Sequence, residues 1–227
     1  MNSPNKQKKF VLLLAVSFLL FFLVYQLNSL LRIRQYLAVC NNLRQIQTAL
    51  NAYYDRYGAY PAATAYNSKG EIVGGWRYSL VPLLVACSKE QLDAIDNTKW
   101  DSSFVVGRSA YCLNPESNDT TALGVVNDSR FVCDSPDNQS TIMLITSQDS
   151  KIGWGANGDV EVNEDWNILK SAPAPLYGKW LAVSFSSGGV LVLDKSVPAE
   201  QLQKHFVKDC MSNPLETFRP YVLYSTN

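Results

Sequence analysis

The sequence predicts an α+β fold in which a long N-terminal helix, membrane-inserted at its start, packs against an antiparallel β-sheet. Three observations predict it. Phe10 to Tyr25 is an apolar run broken only by Ser17. Apolar residues then recur at helical spacing through Tyr36, Leu37, Cys40, Leu43, Ile46, Leu50, Tyr53 and Tyr57. Near the other end, KWLAVS (179–184) and GVLVLD (189–194) read as two strands joined by a glycine-bearing turn.

Between Phe10 and Tyr57 there is no proline or glycine, and Gly58 supplies the stop. One continuous helix over this stretch would be about 70 Å long. Residues 1–9 form a polar cytoplasmic stub, 10–31 the transmembrane part, and 32–57 an amphipathic part. Residues 58–227 form an extracytoplasmic α+β domain. A cleaved signal peptide would want small residues after the apolar run, and Tyr25-Gln26-Leu27-Asn28 does not offer them. A buried core helix fits less well than a membrane anchor, because Lys6, Lys8 and Lys9 precede the run and Arg32 and Arg34 follow it. The slight excess of charge before the run predicts a single-pass protein of the cytoplasmic (inner) membrane. Its N-terminus is inside and its C-terminal domain is periplasmic.

Lys plus Arg equals Asp plus Glu, at 20 each in 227 residues. Setting aside the five basic residues at the anchor leaves a formal charge of −5. That balance gives no case for nucleic-acid binding. The five cysteines are many for a reducing compartment. Cys112 and Cys133 bracket a polar, turn-rich segment and are expected to form a disulfide, with Cys87–Cys210 as a second pair and Cys40 left free. The competing reading is buried free thiols.

After the break at Gly58-Ala59-Tyr60-Pro61, residues 62–75 read as a loop or loose hairpin. WRYSLVPLLVA (76–86) reads as a short helix, since Pro82 argues against a central strand. Ser88 and Gln91 form a capping box for another helix. Val105–Cys112 reads as extended chain and Thr121–Val126 as a strand. TIMLIT (141–146) is β-branched and uncharged, as a central strand requires, and Lys151–Trp154 reads as an edge strand. Pro198 opens a helix running to Cys210, and the tail from Met211 reads as mostly irregular.

Several of these segments resemble one family. Its helix end is matched by Asn41-Asn-Leu-Arg-Gln-Ile46, Ala49-Leu50 and Tyr53, and its turn by Tyr57-Gly58-Ala59-Tyr60-Pro61. Gly75-Trp76-Arg77-Tyr78-Ser79-Leu80-Val81-Pro82-Leu83-Leu84, Trp100-Asp101-Ser102 and Tyr111-Cys112-Leu113-Asn114-Pro115 follow in the family's order. Gly188-Gly189-Val190-Leu191-Val192-Leu193-Asp194-Lys195-Ser196-Val197 is similar to its closing hairpin. The chain thus resembles the DUF1559 group of bacterial, planctomycete-type pilin-like proteins from about Cys40 to Val197. The resemblance implies a pilin-like, pseudopilin plan. Two departures stand out. Lys8-Lys9-Phe10-Val11-Leu12-Leu13-Leu14 lacks the Gly and Glu of a prepilin processing site, and the closing Asp-Gly is Asp194-Lys195. A divergent, membrane-tethered relative is therefore expected and not a fibre subunit.

No enzyme signature is present. The chain contains no Gly-x-Ser-x-Gly elbow, Cys-x-x-Cys, phosphate loop or zinc spacing. The single histidine, His205, has no nucleophile beside it in sequence and reads as structural. The tryptophans are widely spaced and read as core anchors, and the Asn-x-Ser/Thr triplets as polar loops. No cofactor is expected. The one metal candidate is calcium, which wants six to eight oxygen ligands, at Asp159, Glu161, Glu164 and Asp165 in an acidic, Asn-rich loop. Some pseudopilins hold calcium in a C-terminal loop, which the resemblance extends to this position.

Two functions are in view. One is a membrane-anchored, pseudopilin-like structural or assembly protein of the cell envelope. It would have the lipid bilayer and either a second copy or secretion-system subunits as partners. The other is a tethered extracytoplasmic recognition domain for protein or glycan. In either case Leu43, Ile46, Leu50, Tyr53 and Tyr57 share one helix face and are expected to pack on the sheet.

Overall fold

The computed structural model describes residues 4–67, 69–84, 121–127, 130–131, 136, 140–147, 159–161, 179–206 and 212–226. The fold is α+β: a long apolar N-terminal helix packed against a multi-stranded antiparallel sheet. The chain divides into two compact units, Met1–Ala38 and Val39–Asn227. The division falls inside the first helix, because the residues after Ala38 join the core of the sheet.

Helix α1 runs Pro4–Tyr57 without interruption. It ends where the glycine predicts: Gly58 takes φ +72°, and its amide donates to the Tyr54 carbonyl at 2.7 Å. That left-handed residue satisfies an orphan carbonyl of the last turn, and a side chain at that φ would be strained. In the first unit, every large apolar side chain from Phe10 to Leu31 is between 47% and 73% exposed.

The second unit begins with the buried end of α1 and then the antiparallel pair β1 (Thr64–Tyr66) and β2 (Ile72–Gly75). The Asn67 side chain closes this hairpin, its Oδ1 accepting from the amides of Lys69 and Glu71 at 2.9 Å each. Helix α2, Trp76–Leu84, follows at once. Its Pro82 lies inside the helix and removes one i→i−4 hydrogen bond there, two residues before the helix ends.

The main sheet contains β3 (Thr121–Asn127), β4 (Arg130–Phe131), β5 (Ile142–Ser147), β6 (Val160–Glu161), β7 (Trp180–Phe185), β8 (Val190–Asp194) and β9 (Val222–Thr226). The order is β4-β3-β5-β7-β8-β9, with β6 alongside β3. All pairings are antiparallel except β3 with β6. The β7–β8 hairpin closes through Ser186-Ser187-Gly188, with Gly188 at φ +90° and its amide bonded to the Phe185 carbonyl at 2.8 Å. A three-residue loop with a left-handed glycine is one of the favoured hairpin closures.

Every residue of β7 is buried, so both faces of the sheet are covered at this central strand. One face carries Leu181, Val183 and Phe185 of β7 with Leu191 and Leu193 of β8. Leu202 and Phe206, in and just after helix α3 (Ala199–Gln203), close over it with Phe218 of helix α4 (Pro214–Phe218). The other face carries Ser184 and, by alternation, Ala182 and Trp180; it meets α1. In β5, both Ile142 and Ile145 join the first face although they are three residues apart. Strict alternation forbids that, and the register shift between Ile142 and Leu144 resolves it: Ile142 pairs with Phe185 and Ile145 with Val183.

Two expectations are corrected here. The tail from Met211 is not irregular: it forms α4, a 3-10 turn at Arg219–Tyr221, and β9. Phe218, Tyr221 and Val222, one from each, pack with Leu181, Val183 and Phe185 on the sheet, which the local composition with its two prolines does not advertise. Second, the structure contains no disulfide bond among the described residues, and Cys40 is a free, buried thiol. The proposed pairs Cys112–Cys133 and Cys87–Cys210 lie outside the described residues. At Cys40 the physics is that of a small hydrophobe: burial pushes the thiol up to about 11, so it stays protonated. The capping-box helix at Ser88, the extended stretch 105–112 and the strand 151–154 also lie outside the described residues.

Candidate functional site

The most distinctive surface is the first part of α1. Among the described residues it is the one helix long and apolar enough to cross a membrane, and its most apolar window is 0% buried. A soluble protein hides such a stripe; here the apolar side chains point outward all round. Lys8 and Lys9 stand exposed before it, and Arg32 and Arg34 after it. About 20 apolar residues span a hydrocarbon core of roughly 30 Å, and Phe10–Leu31 has that length. The architecture is therefore that of a membrane-associated helix-plus-sheet protein with a single N-terminal anchor.

From Val39 onward the same helix changes character. Val39, Cys40, Leu43, Ile46, Ala49 and Leu50 are buried. Of the five residues that the spacing places on the packing face, Leu43, Ile46 and Leu50 are at most 1% exposed and Tyr53 is half-buried. Tyr57 is 60% exposed. It stands in the last turn, beyond the packed face, with its ring 4.4 Å from that of Tyr53 and tilted 45° to it.

The interface between α1 and β7 is not purely apolar. Gln47 is fully buried. Its Oε1 accepts from Ser184 Oγ at 3.1 Å, and its Nε2 donates to Asn51 Oδ1 at 3.0 Å. Asn51 Nδ2 in turn donates to the Ser186 carbonyl at 3.1 Å, and Tyr60 Oη donates to Asn51 Oδ1 at 3.3 Å. As polar residues of the amphipathic stretch 32–57, Gln47 and Asn51 read from sequence as part of the helix's polar, solvent-facing side. The signal against that was weak, since both lie one residue from apolar positions and only the sheet's own Ser184 and Ser186 give them partners.

Asp159 sits at the head of the acidic segment proposed for calcium, and here it serves another purpose. Its Oδ1 accepts from Trp76 Nε1 at 2.7 Å and from an Arg77 guanidinium nitrogen at 3.2 Å. Arg77 is 1% exposed at the side chain and Asp159 6%, so this is a buried ion pair. Burial pulls the Arg77 guanidinium below its usual range, and the Asp159 carboxylate works against that pull. The guanidinium also lies 4.5 Å from the centre of the Trp76 ring. Phe131 meets Trp76 edge-on at 5.3 Å, so the pair is walled by aromatics. Glu161 lies in β6, while Glu164 and Asp165 are outside the described residues. Among the described residues no group of three or more His, Cys, Asp or Glu side chains could hold a metal.

His205 is buried. Its Nδ1 donates to the Ser140 carbonyl at 2.9 Å, an acceptor that sets the tautomer. Burial holds its pKa below the ordinary histidine value. The ring packs on Phe218 at 4.8 Å and edge-on to Phe185 at 6.0 Å. A shallow cleft of about 440 Å³ opens nearby, lined among others by Ser140, Phe185, Ser187, Asn213, Leu215 and Thr226. Among the described residues that line it, none is charged and none forms a nucleophile–base pair.

The chain matches no family model, no curated protein and no solved structure.

Proposed function

We propose that this protein is a single-span, pseudopilin-like structural or assembly protein of the cell envelope, with the domain after α1 outside the cytoplasm. The observation that carries it is the double duty of α1. Its first half is apolar and uncovered, and its second half is the buried spine of an antiparallel sheet. The motif order of the DUF1559 group supports the pilin-like reading, as does the turn at Tyr57–Pro61 directly after that spine. Neither the processing glycine nor the glutamate of prepilins is present, so the protein stays anchored and does not enter a filament through that glutamate. Its action is non-enzymatic: it holds a folded domain at the membrane and associates with other subunits. The test has two arms. A tag after Asn227 is labelled in intact cells if the domain is outside, and labelling only after lysis sinks the orientation. Crosslinking in native membranes then traps a second copy or secretion-system subunits; a strictly uncrosslinked monomer argues against assembly.

A second reading, a tethered recognition domain, is favoured by one observation. Tyr66 and Ile72 pair across the β1–β2 hairpin and are 60% and 58% exposed. An exposed aromatic–aliphatic pair on a hairpin offers a contact surface that no described residue covers. Soluble protein or glycan captured by the wild type and released by Tyr66→Ser favours this reading over assembly.

A further inference from the structure

The charge along α1 is one-sided over an unusual length. The first acidic residue of the chain is Asp55, and before it stand Lys6, Lys8, Lys9, Arg32, Arg34 and Arg44. The first unit, which holds all of these but Arg44, contains no acidic residue to neutralise them. Arg32 and Arg34 are both exposed, and neither has an ion-pair partner among the described residues.

Their position along the helix matters. From Lys9 to Arg32 the helix rises about 35 Å, slightly more than a hydrocarbon core of roughly 30 Å. With the lysines at one headgroup layer, Arg32 and Arg34 reach the other at the depth of the lipid phosphates. Two residues apart on a helix, they leave it about 200° from one another. They therefore cannot grip one ligand together. Each faces its own sector of the surrounding lipid, and the pair makes a collar and not a pocket.

The residue type also discriminates. A guanidinium presents parallel N–H donors that match two oxygens of a phosphate, which an ammonium does not. The uncompensated positive charge favours phospholipids of net negative charge over zwitterionic ones. We infer that Arg32 and Arg34 form a phosphate-binding collar that selects anionic phospholipids around the domain-proximal end of the anchor. This rests on the membrane-anchor reading and names the lipid class that the anchor prefers.

The full chain, reconstituted in phosphatidylcholine vesicles, is probed with trace spin-labelled phosphatidylglycerol or phosphatidylcholine. Lipid in contact with the helix gives a motionally restricted signal. Because both leaflets have the same composition, the orientation of insertion does not affect the result. A Lys6→Gln/Lys8→Gln/Lys9→Gln variant removes the lysine end, and in it phosphatidylglycerol is still preferred, by roughly fivefold at low salt. Adding Arg32→Gln and Arg34→Gln brings the ratio near one, while Arg32→Lys with Arg34→Lys falls between. The preference weakens in 1 M salt, where the screening length is about 3 Å. Exchanging chloride for inorganic phosphate at equal ionic strength leaves it in place. Loss of all preference in the lysine variant, or an unchanged ratio after the arginine substitutions, overturns the collar and leaves the anchor standing. The absence of any restricted signal with either lipid overturns the anchor itself, and the collar with it.

Discussion

Ser184 Oγ donates to Gln47 Oε1 at 3.1 Å across the layer between β7 and α1, with both residues fully buried. A fully buried polar pair between two largely apolar surfaces fixes their register, because sliding the helix by one turn would leave both groups unsatisfied. Gln47→Leu strands the Ser184 hydroxyl and removes the Nε2 donor to Asn51, and is expected to cost about 2 kcal/mol. Ser184→Ala alone costs about 1 kcal/mol. Thermal or urea unfolding of the detergent-solubilised full chain measures both. In the double variant the two losses should fall short of their sum. Strict additivity would mean that the pair is not coupled.

Ile46 and Tyr57 make a contrast on one helix face. Ile46 is 1% exposed, so Ile46→Asp buries an unpaired carboxylate and should cost several kcal/mol, roughly 3–5. Tyr57 is mostly exposed, and Tyr57→Ser should change stability by less than about 0.5 kcal/mol beyond the loss of its contact with Tyr53. An Ile46→Asp melt equal to the wild type would defeat the role of α1 as the spine of the domain.

Arg77 and Asp159 are 82 residues apart in sequence and share a buried ion pair. Breaking it from one side leaves a buried charge, so Asp159→Asn is expected to destabilise by about 3 kcal/mol, although Asn retains an acceptor for Trp76. Arg77→Met in the same chain should recover part of that loss, since the buried charge is then gone. A double variant no more stable than Asp159→Asn alone would count against the pairing. Calcium titration against the melt of the wild type reads the acidic loop independently.

His205 sets a pH dependence whose sign follows from its burial. Its pKa in the fold is below the ordinary value of 6.5. The unfolded chain therefore binds the proton first as pH falls. The stabilisation is complete above 6.5 and is lost as pH drops through the folded pKa. His205→Asn keeps a donor for the Ser140 carbonyl and removes the titration. As pH falls below 6.5, the melting temperature of the wild type should drop more steeply than that of the variant. Parallel pH profiles would assign the dependence to other groups.

The sequence by itself determined whatever depends on contiguous residues. The anchor is legible because its side chains face lipid all round, so no partner from elsewhere in the chain enters into it. The end of α1 at Gly58, the helix Trp76–Leu84 and the hairpin β7–β8 are equally local, set by a left-handed glycine, helical spacing and a three-residue turn. Tertiary structure decided the rest. The β-strand Val222–Thr226 lies in a tail with two prolines and becomes a strand only because β8 offers it an edge. Gln47 looks like a solvent residue until Ser184 is brought opposite it. Asp159 looks like one carboxylate among several in an acidic loop until the fold sets it against Arg77 and Trp76. In each case the sequence names a side chain's capacity to bond, but the partner comes from a distant segment. A buried polar group is stable only with that partner in place, and the packing of the sheet supplies it.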